Sequence, residues 1–227
     1  MLKKLIKRVN KKLLLGVSLL LAGVVILLLT YWPILSAYIS FYSSPEPSTT
    51  NIEIAKDEEE VTKKITKTTE KVVIDADFGI YIPKIKSNSK VVKNINPFDE
   101  AEYSKALETD VVHTKGTATP DMSGNVFLFA HSAVNFYERN KFHVYFYLLS
   151  ELKAGDEIFV SYEKNIYKYK VVDVKIVNKE EVKYLRDYDK QDTLTLMTCY
   201  PAGSDWKRSI VIAHRDELAP ILNNSTP

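Results

Sequence analysis

A chain of 227 residues has room for one domain with accessory segments, and 45% hydrophobic with 26% charged residues is the balance of an ordinary globular protein. The formal charge of +2 is unevenly placed: the first twelve residues hold six basic side chains and no acid, which leaves 25 basic residues against 29 acidic ones, a net −4, in the remainder. That distribution argues against a nucleic-acid partner for the folded part.

Residues 13–32 are almost wholly apolar, and no charge interrupts the chain between Lys12 and Glu46. Nineteen helical residues span about 28 Å, enough for the hydrocarbon core of a bilayer. The basic residues 1–12 predict a cytoplasmic N-terminus, Tyr31 and Trp32 suit the far interface, and the rest of the chain is expected outside the cell. A cleaved signal peptide is the competing reading, but its apolar run would be shorter and no clear A-x-A site follows. Cys199 is the sole cysteine, so no internal disulfide can form. A single thiol in an oxidising compartment is either a buried bystander or a working group.

Residues 43–71 include Ser-Pro-Glu-Pro-Ser-Thr-Thr and Asp57-Glu-Glu-Glu60, and read as a flexible linker. Glu/Lys pairs at helical spacing allow a solvated helix within residues 52–71. The acidic run reads as solvated charge rather than a calcium site. From Phe78 the composition turns globular, with β-rich runs at 80–85, 126–130, 157–162, 167–177, 194–199 and 209–213. Residues 97–107 predict a helix with Pro97 near its start. Many strands with few helices suggest a closed or nearly closed barrel. In the run Thr193-Leu-Thr-Leu-Met-Thr-Cys199, Leu194 and Leu196 share one face, and Thr195, Met197 and Cys199 the other. After a turn at 201–205, Arg208 opens the next strand. If the two strands pair as neighbours, a thiol and a guanidinium face each other across that turn.

Thr195-Leu-Met-Thr-Cys199 matches the T-L-x-T-C signature of the sortases, and over residues 78–215 the chain resembles that family. Phe78-Gly-Ile-Tyr-Ile-Pro-Lys-Ile85 resembles the family's opening strand, Gly116-Thr-Ala fits before the histidine strand, and Val126-Phe-Leu-Phe-Ala-His131-Ser132 has the form of that strand. Many sortases place Gly before the histidine, where this chain has Ala130. The resemblance implies a mainly β fold: an eight-stranded barrel with short helices over residues 72–220, preceded by the membrane helix and linker and followed by a short tail at 221–227. It implies a cysteine transpeptidase with His131, Cys199 and Arg208 as the catalytic residues. Cys199 would form a thioester, His131 would protonate the leaving amine, and Arg208 would stabilise the oxyanion. The expected partners are secreted proteins bearing an L-P-x-T-G-like C-terminal sorting signal, an amine acceptor of the cell wall, and the bilayer.

No cofactor is expected. One cysteine and four scattered histidines lack zinc-ligand spacing, and the acidic loop at 180–192 lacks a calcium motif. His113 reads as a loop residue, either solvent-facing or locally bonded. His143 lies in the aromatic segment 136–147, where core packing competes with a groove-lining role. Arg215 is the alternative arginine, expected to pair with Asp216 or Glu217. Thr195 and Thr198 suit either substrate orientation or plain strand formation. The rival functions are a degenerate peptide-binding barrel and a cysteine hydrolase of cell-wall peptides. Papain-like hydrolases usually place cysteine before histidine, the reverse of His131 and Cys199, and the His-Gly-Cys neighbourhood of L,D-transpeptidases is absent.

Overall fold

In a computed structural model of the protein, the described residues are 11–43, 51–54, 71–132, 145–185 and 192–216. His143, Asp57–Glu60, most of the possible 52–71 helix, residues 186–191 of the acidic loop and the tail 221–227 lie outside them. Residues 1–46 and 47–227 form two compact units. The first contains helix α1 (Lys11–Ser43). Its stretch Leu13–Thr30 is long and apolar enough to cross a membrane, and none of that window is buried in the protein. The Thr30 hydroxyl at the end of that window donates to the Ile26 carbonyl at 2.8 Å, so the helix satisfies that polar group internally.

The second unit begins with β1 (Asn51–Ile54) and β2 (Lys71–Ile74), which pair in parallel. Five residues that composition assigns to the linker, Asn51–Ile54 and Lys71, therefore belong to a sheet. Ile52 and Ile54 explain this, since their side chains pack with Val72 against Ile74, Tyr81, Phe159 and Ile166.

Eight strands then close a barrel: β3 (Phe78–Ile82), β4 (Ser87–Ile95), β5 (Val111–Thr114), β6 (Asn125–Phe129), β7 (Glu157–Tyr162), β8 (Asn165–Asn178), β9 (Thr193–Tyr200) and β10 (Lys207–Arg215). Around the wall they run β10-β8-β7-β3-β4-β5-β6-β9. The β4–β5 and β6–β9 pairs are parallel and the other resolved pairs antiparallel. A parallel pair needs a crossover, and α2 (Glu100–Leu107) supplies it between β4 and β5. Asp99 caps α2 by accepting the Glu102 N–H at 3.1 Å, with Glu100 and Glu102 in the first turn to match the helix dipole.

The first strand is shorter than its β-rich run, because Pro83 cannot donate to a ladder and opens a 3-10 turn, Pro83–Ile85, instead. Strands β4 and β5 lie outside the β-rich runs read from sequence. In β4 the inward positions are Ser87, Ser89 and Val91, alternating with exposed Asn88 and Lys90, so the alternation is present but two of its buried members are polar.

Tyr81 and Phe159 are cross-strand partners whose neighbours Ile80 and Val160 belong to the main core. The β1–β2 ribbon therefore covers the face of β3 and β7 turned away from that core. Gly79 makes this possible: a Cβ there would lie 2.6 Å from Ile74 Cγ2, 2.8 Å from Ser161 Oγ and 3.0 Å from the Asp75 amide nitrogen. Gly79→Ala is expected to destabilise the domain by about 1–3 kcal/mol through overpacking. Ile74→Ala should cost about 2–5 kcal/mol alone. The double variant should be more stable than the two losses summed, because truncating Ile74 removes the tightest of the three clashes. Urea unfolding of the four proteins measures that coupling.

Candidate functional site

Strand β9 is central to the site because it is bonded on both sides. On one side it runs antiparallel to β10, and Cys199 is the direct cross-strand partner of Arg208. On the other side it runs parallel to β6, with Phe129 opposite Met197. Two contacts carry that register past the last ladder pair. The Ala130 N–H donates to the Met197 carbonyl at 3.2 Å, and the Thr198 hydroxyl donates to the Ala130 carbonyl at 2.8 Å. The next residues in step are His131 and Cys199. Adjacent strands lie about 4.8 Å apart, so the backbones of His131, Cys199 and Arg208 stand side by side at one end of three consecutive strands. The His131 carbonyl accepts the Phe146 N–H at 3.4 Å, so the turn starting at Tyr145 backs the same end.

Both faces of β9 are covered over most of its length: Thr193, Leu194, Thr195 and Leu196 are fully buried, and the strand opens to solvent only from Met197 onward. The half-buried strand of the sequence reading is thus half-buried only at its cysteine end. Thr195 is fully buried, donating to Asn125 Oδ1 at 2.8 Å, while Asn125 Nδ2 donates to the Tyr184 carbonyl at 3.1 Å. Thr198 is occupied by the Ala130 carbonyl. These hydroxyls fix β6 to β9 rather than line a groove. Sequence gave no sign of it, since Thr is also a preferred strand residue.

The Cys199 thiol is a half-buried free cysteine. Burial pushes its pKa up; the Arg208 guanidinium pulls against that, and the Asp205 carboxylate adds to it. Arg208 Nη1 donates to the carbonyls of Asp205 at 3.1 Å and Lys207 at 3.0 Å, so the guanidinium rests against the turn that joins β9 to β10. Asp205 in turn pairs with Lys179 at 3.7 Å. Asp205 falls within the turn segment read from sequence, but its charge next to the thiol is a consequence of the turn's folding.

The other sequence candidates lie away from this end. Arg215 sits seven residues along β10 from Arg208, about 23 Å at strand rise. It bonds Asp192 at 3.3 Å and the Pro120 carbonyl at 3.2 Å, and its guanidinium stacks 4.5 Å from the Tyr167 ring centroid. Among the described residues its acidic partner is Asp192, while Asp216 binds Lys170 at 3.0 Å, and Glu217 lies outside them. His113 is not in a loop but in β5, fully buried and locally bonded. Among the described residues no cluster of three or more His, Cys, Asp or Glu side chains could hold a metal ion.

Residues 80–216 match the family model for the sortase domain. Over 137 residues the chain is 28% identical to Sortase D from Bacillus subtilis (strain 168), a match covering 59% of this chain and 61% of that protein. The chain thus spans about three fifths of the length of that curated relative. Among solved structures, sortase C-1 from Actinomyces oris aligns at a TM-score of 0.53 and 29% identity, over 65% of this chain and 77% of its own. Sortase A from Corynebacterium diphtheriae aligns at 0.53 and 26%, over 66% and 64%.

Alkylation of Cys199 followed against pH is expected to show a midpoint above that of a free cysteine. Arg208→Ala should move the midpoint further up, since it removes the opposing charge, and Asp205→Asn should move it down. Iodoacetamide labelling rates of the three proteins between pH 6 and 11 check both signs.

Proposed function

The chain belongs to the sortase family, and on that premise we propose that it is a membrane-anchored cysteine transpeptidase that cleaves an L-P-x-T-G-like sorting signal and passes the cleaved protein to a cell-wall amine. The observation that supports this reading is the cross-strand pair Cys199–Arg208, with His131 following β6 one residue beyond the Ala130 contacts to Met197 and Thr198.

In the proposed reaction the Cys199 sulfur, as thiolate, attacks the scissile carbonyl carbon. The resulting oxyanion receives hydrogen bonds from Arg208, whose guanidinium has N–H groups besides those on Nη1. Collapse of the tetrahedral intermediate breaks the C–N bond, and His131 gives a proton to the departing amine. The acyl group remains on sulfur as a thioester. An incoming amine, losing its proton to His131, attacks that carbonyl and expels the thiolate. Because burial keeps the thiol above its ordinary pKa, the thiolate is a minority form at neutral pH. Arg208 thus has two tasks in the scheme, favouring the thiolate and stabilising the oxyanion. A preference for one sorting sequence, one acceptor amine and residues 1–12 in the cytoplasm belong to the same proposal.

Cys199→Ala is expected to abolish cleavage and thioester capture while changing stability by only about 1 kcal/mol. Peptide cleavage, read by mass spectrometry with hydroxylamine as acceptor, and thermal melting of the same sample test both halves. Cleavage at the wild-type rate would end the proposal.

Arg208→Lys should be nearly as damaging as Arg208→Ala, each losing about a hundredfold in kcat, because one ammonium cannot replace a fork of donors. Arg215→Ala should leave kcat near wild type and act on stability through its contacts to Asp192 and Tyr167. Steady-state kinetics of the three variants separate a transition-state role from ground-state binding, which would raise KM alone.

On intact cells, external protease is expected to cut within the linker between Ser43 and Lys71 while a tag fused to residue 1 stays protected. A mature N-terminus near Ala37 would instead mark a cleaved leader.

A further inference from the structure

His113 is a buried titratable group that the proposed chemistry does not use. It is fully shielded in β5, with its ring centroid 5.6 Å from that of Phe78. Nδ1 receives the backbone N–H of Asn94 at 3.3 Å. Nε2 lies 3.0 Å from the Ala118 carbonyl and 3.0 Å from Thr117 Oγ1. A ring nitrogen that accepts an N–H must have its lone pair free, so Nδ1 is bare and Nε2 carries the hydrogen, directed at Ala118 and Thr117. Thr117 agrees with this assignment. Its own hydrogen goes to the Thr114 carbonyl at 2.8 Å, and its oxygen also takes the Phe127 N–H at 3.4 Å. One neutral imidazole therefore ties β4 to the connection between β5 and β6 and, through Thr117, to β6 itself.

The point on β4 that it holds is irregular. Asn94 has φ of 64°, and the β4–β5 register shifts between Val92 and Ile95. The imidazole gives this bulged residue an acceptor for its N–H, a group that the regular ladder would otherwise serve. On the other side, the Ala118 N–H donates to the Asn125 carbonyl at 3.0 Å, so the clasp reaches the start of β6, the strand that His131 follows by two residues.

We propose that His113 is an acid-operated latch, in which protonation at Nδ1 sets N–H against N–H at Asn94 and so releases the β4 bulge from the β5–β6 connection, loosening the wall that carries His131. The surroundings offer an imidazolium the Ala118 carbonyl but, among the described residues, no carboxylate partner. Phe78 on β3 and Leu128, its cross-strand partner on β6, are apolar, and Thr117 and Ala118 are uncharged. The charged neighbour from β4 is Lys93, which itself donates to the Tyr162 hydroxyl of β7 and is favoured by the carboxylates of Asp121 and Glu163. Burial, with Lys93 assisting, holds the His113 pKa below its ordinary 6.5, against the Ala118 carbonyl, which favours the cation.

The sign follows from that direction. The unfolded chain takes up the proton near pH 6.5 and the folded chain only at lower pH. Stability is therefore whole above about pH 6.5 and is lost as pH falls toward the folded value, with the unfolding constant rising by up to about tenfold per pH unit for this one proton. No substrate is involved, so the latch can be tested independently of the transpeptidase reading.

The test is urea unfolding of the full chain in detergent micelles between pH 5.5 and 7.5, with His113→Gln beside the wild type. Glutamine keeps a donor for Ala118 and cannot titrate. The expected result is that the wild type shows an acid-side slope and that His113→Gln loses close to one proton of it. Should His113→Gln fail to fold, imidazole NMR titration of the wild type decides. The resonance that persists in His131→Ala, His143→Ala and His214→Ala belongs to His113, and its midpoint should lie well below 6.5. An unchanged slope in His113→Gln, or a His113 midpoint at or above 6.5, overturns the latch.

Discussion

The parallel pairing of β6 with β9 is the constraint on which the candidate site depends. The two strands are separated by nearly seventy residues, as the contact from Thr198 to Ala130 spans 68 positions. Joining strands so distant carries a loop-closure cost that local contacts do not meet. The structure offsets it with buried apolar and polar groups along the seam: Val126, Phe127 and Leu128 face Leu194, Thr195 and Leu196, each nearly or fully buried. The hydroxyls of Thr195 and Thr198 then bond across the seam at either end of that run. A parallel slip by one residue would turn every side chain on β9 to the other face and carry Cys199 away from His131 and Arg208 together.

At the cysteine end the effects compete. Covering β9 on both faces makes its register secure, yet the same covering removes water from around the thiol and disfavours its charged form. Arg208 counters burial from directly across the strand pair, and Asp205 weakens that counterweight from the adjoining turn. The two opposite charges lie three residues apart in sequence, so the path of the β9–β10 turn sets how much of each the thiol senses. The Asp205–Lys179 pair ties that turn to the residue just after β8, but both partners are largely exposed, and an ion pair of that kind holds weakly.

A second packing layer explains why the sheet begins before the sortase-like segment. The β1–β2 ribbon buries Ile74 completely and covers Tyr81 and Phe159, which would otherwise present aromatic rings to solvent on the outside of the barrel. Its approach requires a glycine at position 79, because the backbone at Asp75 and the Ser161 hydroxyl, which donates to the Asp75 carbonyl at 2.5 Å, both crowd that spot. The opening strand thus serves two cores, with Ile80 and Ile82 facing inward and Tyr81 facing the ribbon.

The sequence by itself determined the long apolar helix, most of the barrel strands, the presence of helix α2 and the identity of the family. Each of these rests on a signal carried by neighbours in the chain: an uncharged run, an alternation, a proline near a helix start, or a short motif such as Thr195 to Cys199. It missed β4 and β5, where polar Ser87 and Ser89 occupy buried positions and where His113, polar in sequence, fills a sealed interior site. It assigned Arg215 to Asp216 or Glu217 on proximity along the chain, whereas barrel closure brings Asp192 and Tyr167 to it and Asp216 bonds Lys170, Glu217 lying outside the described residues. Tertiary structure also decided that Thr195 and Thr198 bond across the β6–β9 seam and that Ile52 and Ile54 leave the linker for a sheet. The physical reason is common to all of them: a hydrogen bond or an apolar contact needs a partner at a few ångströms, and for these residues the partner lies tens of positions away until the barrel closes.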